Sequence, residues 1–153
     1  MAVSDEDKGK PPFLGPHEGR ELELMLTGKK PLSLFSFEEG IEREIFPEHQ
    51  FDLYVAEGVF VKNVRVDCYV SADGEEVNMR SVLYATASES WRIPAMRMVQ
   101  DIYHSQGLGW RLDLERVIGA LLGYDRNDVE LFVERLAKRQ RIHPHSMPDQ
   151  HQR

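Results

Sequence analysis

The tightest constraint on the fold lies in two alternating segments, VFVKNVRVDCYV (59–70) and EEVNMRSVLYATA (75–87), that flank Ser71-Ala72-Asp73-Gly74. Asp-Gly between alternating stretches marks a β-hairpin, since a two-residue turn takes positive φ at both central positions. The alternation puts Val64, Val66, Cys68 and Val70 on one face of the first strand and Arg65, Asp67 and Tyr69 on the other. The expected object is a half-buried antiparallel ribbon with its valines inward. In that register Cys68 is a small buried hydrophobe and not a nucleophile.

The segments before the hairpin supply one more strand and two short helices. PLSLFSF (31–37) alternates Leu32 and Leu34 against Ser33, Phe35 and Phe37, which suits a strand buried on one face and partly on the other. A helix is expected from about Glu18 to Thr27, with Leu22, Met25 and Leu26 on its inner face and Gly28 as its stop. Pro47 suits the first turn of a helix that runs to Glu57 and buries Phe51, Tyr54 and Val55.

After Ser90 the apolar period becomes helical. Three helices are expected, over about 91–105, 112–122 and 126–138, broken at Gly107-Leu108-Gly109 and at Gly123. Their inner faces carry Ile93, Met96, Val99 and Tyr103 with Met98 and Ile102 beside them, then Leu114, Val117, Ile118, Leu121 and Leu122, then Val129, Phe132, Val133 and Leu136. Asp113 and Asp125 are the candidate caps. The fold class is therefore α+β: a small antiparallel sheet (hairpin 59–87 plus strand 31–37) packed by the C-terminal helices. Residues 17–138 form one globular domain, preceded by a mobile arm (1–16) and followed by a flexible basic tail (139–153).

Charge narrows the functional classes. The chain has 153 residues and a formal charge of −7. Residues 138–153 hold four Lys/Arg and one Asp, hence +3, which leaves −10 on residues 1–137. Such a body repels phosphate backbones and anionic lipid and attracts basic proteins. This bears on GALLGYDRNDVELFVERL (119–136), which has the outline of a helix-turn-helix. A recognition helix presents Arg, Lys, Asn or Gln near its N-terminus. Here Asp125, Asp128 and Glu130 surround Arg126 and Asn127, so a packing hairpin is expected and specific DNA binding is not.

No catalytic set stands out. Cys68 is the only cysteine, which rules out an internal disulfide and fits a reducing, cytoplasmic setting. The first twenty residues lack an apolar signal core, and no run has the length of a membrane span. His17, His49 and His104 have no zinc-site spacing, and His143 and His145 with His151 lie in the expected tail. Neither a phosphate loop nor Gly-x-Ser-x-Gly is present. No cofactor or metal is expected.

The densest carboxylate run is Glu38, Glu39, Glu42 and Glu44, which reads as a solvated face available to a basic protein. Trp110, next to the Gly-rich break, is expected to be the more exposed of the two tryptophans and joins these four as a partner-binding candidate. The reading is a non-enzymatic acidic protein-binding module, inhibitory or regulatory (immunity-type, antitoxin-like or anti-defence), acting on a basic or nucleic-acid-handling protein. A homodimer is compatible with it, and no membrane partner is expected. The alternative is a small enzyme whose carboxylate site assembles only in three dimensions.

Overall fold

A computed structural model describes residues 17–40, 47–105 and 110–142. The expected arm 1–16, the Gly107–Gly109 break and the residues from 143 onward lie outside them. The elements are α1 (Glu21–Leu26), β1 (Leu32–Glu38), α2 (Glu48–Ala56), β2 (Phe60–Val70), β3 (Glu76–Thr86), α3 (Arg92–Ser105), α4 (Leu112–Leu121) and α5 (Arg126–Ile142). The three strands form an antiparallel sheet in the order β1-β3-β2, so the hairpin's second strand is central and β2 is an edge. The class is α+β. No helix among the described residues is long and apolar enough to cross a membrane.

The sheet is covered on both faces, where only the C-terminal helices were expected to cover it. On one face Leu32, Leu34, Leu83 and Ala85 pack under Ile93, Met96 and Val99 of α3 and Leu114, Ile118 and Leu121 of α4. On the other, Phe35, Val82, Tyr84 and Phe60 pack under Met25 of α1 and Phe51 of α2. Phe51 is the hub of this second core, with ring centroids 4.8 Å from Tyr84 and 5.4 Å from Phe35. Strand β1 is accordingly buried on both faces from Leu32 to Phe35. Its Leu/Ser/Phe alternation serves two apolar layers and not one.

Several local expectations change. The hairpin loop is three residues long, because the Ser71 amide donates to the Glu75 carbonyl at 2.8 Å and Gly74 alone has positive φ (+81°). This is a turn closed by one left-handed glycine, so Asp73 keeps an ordinary conformation. On α1, Leu24 is buried with Met25 and Leu26 is exposed. On α3, Met98 is exposed. On α4, Val117 is exposed while Glu115 is only 2% exposed, its carboxylate accepting a 2.7 Å hydrogen bond from the Tyr103 hydroxyl. That bond satisfies a buried polar group and rotates the helix's inner face by part of a turn.

Asp113 lies in the first turn of α4 and not at its N-cap, which is Arg111, and it pairs with Arg111 at 2.7 Å. Asp125 does cap α5, accepting from the Asn127 amide at 2.8 Å. Helix α5 packs through Val129, Val133 and Leu136, approaches α4 where Gly119 has no Cβ, and continues to Ile142, past the expected 138.

Candidate protein-binding surface

Strand β2 carries unlike chemistry on its two faces, and each face meets a different neighbour. The side chains of Asn63, Arg65, Asp67 and Tyr69 lie on the face occupied by α3, which presents Arg97, Asp101 and His104 from successive turns. Arg97 donates to Asn63 Oδ1 at 2.8 Å, Ser81 Oγ at 2.6 Å and Gln100 Oε1 at 3.0 Å. Arg65 bridges Asp67 at 2.9 Å and Asp101 at 2.8 Å. The Tyr69 hydroxyl sits 2.5 Å from His104 Nε2. The polar side of the strand, expected to face solvent, is therefore clamped beneath a helix.

Two cations and two carboxylates compensate one another in this row. Burial, reinforced by Arg65, pulls Arg97 down to about 10, so it stays charged at neutral pH. Burial pushes the Tyr69 phenol up to about 12, with Asp67 adding to the rise, and lowers His104. A phenol held protonated beside a neutral imidazole is a stable hydrogen-bonded pair, the reverse of an activated nucleophile.

The opposite face of β2 holds the valines, and it inverts the expectation for them. Val64 is 42%, Val66 44% and Val70 71% exposed, and Cys68 is exposed beside them. The reason is the length of α2. Its nine residues cover the sheet only around Phe51, Phe60 and Tyr84, and its carboxylates mark the edge of that cover. Glu48 bridges Lys62 at 3.0 Å and Arg80 at 2.7 Å; Asp52 pairs with Lys62 at 2.8 Å and accepts from the Tyr84 hydroxyl at 2.8 Å. The Arg80 hydrogen bond holds Glu48 below the usual carboxylate range, with Lys62 assisting. Beyond Lys62 and Arg80 the side chains of Val64, Val66, Cys68 and Val70 are all exposed. On the neighbouring strand Glu76 and Asn78, opposite Val70 and Cys68, are exposed and form a polar rim.

The expected site residues do not converge on this face. Glu38 is half-buried at the end of β1, and Glu39 is exposed beyond it, its amide bonded to the Asn78 carbonyl at 2.8 Å. Glu42 and Glu44 lie outside the described residues. Trp110 is half-buried ahead of α4, its carbonyl accepting from the Gln140 side chain at 2.7 Å, whereas Trp91 is 56% exposed, so the expected ranking of the two tryptophans is reversed. Among the described residues no three His, Cys, Asp or Glu side chains are grouped to hold a metal ion. The valine row itself is visible in the sequence; the further signal there is the spacing of Arg97, Asp101 and His104, one polar ridge on α3 that matches the polar side of β2.

No protein-family model matches the chain, and neither a curated protein nor a solved structure is significantly similar to it.

Proposed function

We propose that this protein is a non-enzymatic protein-binding module that docks a partner on the exposed aliphatic face of β2. The observation that carries this reading is the row Val64, Val66, Cys68 and Val70, apolar, on one face of a strand and exposed at every position. Exposed aliphatic side chains are common singly; a row of them rimmed by polar residues is the form of an interaction surface. The acidic balance of the chain selects for a basic partner through the rate of encounter, with Glu38 and Glu39 among the exposed or half-exposed carboxylates. An inhibitory or regulatory role toward a basic, nucleic-acid-handling protein agrees with both features.

The enzyme reading draws least support, because the titratable groups brought together are mutually neutralised ion pairs. The test is capture from the native host with immobilised protein, comparing the parent with Val64→Lys. A basic protein retained in stoichiometric amount by the parent and lost from the variant, whose circular dichroism is unchanged, is the expected result. Equal retention by a folded Val64→Lys protein removes the valine face as the binding surface.

A further inference from the structure

The free edge of β2 has a use distinct from its face. The Ala87 amide donates to the Val59 carbonyl and the Ser71 amide to the Glu75 carbonyl, which places the odd-numbered residues of β2 in the hydrogen-bonded pairs with β3. The N–H and C=O groups of Lys62, Val64, Val66, Cys68 and Val70 consequently point away from the sheet. Among the described residues no hydrogen bond reaches them. Sheet edges are ordinarily protected by Pro, by a projecting lysine or by brevity. This edge is eleven residues long and contains no proline, and its one lysine is held against α2 by Glu48 and Asp52.

We propose that β2 pairs antiparallel with β2 of a second copy of this chain about a two-fold axis at Val66, joining the two sheets into one of six strands. The charges choose both the occupant and the register. Arg65 and Asp67, already ion-paired within one chain, flank Val66 symmetrically, so a two-fold axis there sets Arg65 of each copy across from Asp67 of the other and joins the two intrachain pairs into one row of alternating sign. These are non-hydrogen-bonded positions, where opposing side chains approach most closely. Moving the axis by one residue sets Arg65 against Arg65 or Asp67 against Asp67, a like-charge contact at the centre. The self-complementary register also aligns Val66 with Val66 and Val64 with Cys68, and an isologous interface requires no second kind of surface. Pairing consumes the edge and leaves the valine face open. It also places the two valine rows side by side, so the inference rests on the proposed docking face and specifies that two copies build it.

Sedimentation equilibrium on the full chain tests the proposal, with a mass near twice 17.7 kDa expected at high concentration. In Val66→Pro the lost amide points outward and serves no β3 bond, so the variant should keep its circular dichroism and fall to monomer mass. Cross-linking reads the register without relying on that variant. In a Cys68→Ser background, Val66→Cys should join to its own mate through a reagent spanning about 5 Å, the separation of directly opposed residues. Val64→Cys should not, its mate lying about 13 Å along the strand at roughly 3.3 Å per residue. A parent that is monomeric at every concentration, a dimer unaffected by a folded Val66→Pro protein, or a dominant 64–64 cross-link overturns the pairing. Each of those results leaves the docking face to be judged by Val64→Lys capture, and equal capture by that variant from an intact dimer overturns the docking face alone.

Discussion

Lys30 shows how one residue ties distant parts of this chain together. It is almost fully buried, and its ammonium donates to the Leu122 carbonyl at the end of α4 at 2.9 Å while lying 3.0 Å from His17 Nδ1. Tyr124 completes the cluster, stacked on His17 at 4.2 Å and beneath the ammonium at 4.7 Å. A cation at a helix C-terminus is favourable, and it offsets part of the cost of burial. Burial lowers His17 to about 4, with Lys30 and Arg20 adding to the shift, so His17 is neutral in the folded protein at pH 7. The unfolded chain takes up the histidine proton near 6.5. Between these values it binds more protons than the folded one, so stability must fall as pH drops through that window. His17→Gln removes the titration and keeps an acceptor for Lys30. The urea midpoint of the parent should therefore decline more between pH 7 and 4.5 than that of the variant. Glu21, raised by burial, opposes the trend equally in both proteins, so the difference reports His17. Identical declines would show that the histidine is not neutral in the fold.

At the level of elements, much of the architecture was legible. The hairpin, the strand near 31–37 and the three C-terminal helices all follow from period and punctuation. Orientation was less so. Alternation in β2 identifies two faces but does not say which is inner, and a valine row is ordinarily the inner one. Here charge pairing decides: Arg65 and Tyr69 find Asp101 and His104 on α3, more than thirty positions away, and no local pattern displays that match. Glu115 was hidden for a similar reason, since its burial depends on Tyr103 from another helix. The turn makes the matter testable. With Gly74 at φ +81° and no positive φ at Asp73, the two positions are unequal. Gly74→Val should cost about 1–2 kcal/mol, the penalty for a left-handed L-residue, and a β-branched side chain belongs at the upper end. Asp73→Ala should change the thermal midpoint little. Equal losses at both positions would restore a two-residue turn.

For the whole molecule, the charge has to be read after internal pairing and not before. Residues 37–57 hold seven acidic side chains and one basic one, yet Glu48 and Asp52 are committed to Lys62, Arg80 and Tyr84. Among the described residues, what remains of this run for a partner is Glu38, Glu39 and Glu57. Separated surface charges act chiefly on encounter, and their influence decays over a Debye length of about 8–10 Å at ordinary salt. Converting Glu38, Glu39, Glu42 and Glu44 to glutamine preserves size and polarity, and each such change should move stability by no more than about 0.5 kcal/mol. Association with the captured basic partner should slow about tenfold at low ionic strength and converge with the parent at high salt, because steering of this kind is screened. Dissociation should change little, since that rate reports contacts formed on the valine face. Val64→Lys should show the complementary pattern, a faster dissociation at every salt concentration. Stopped-flow traces in which the quadruple variant associates like the parent at all ionic strengths would assign these carboxylates to solubility alone.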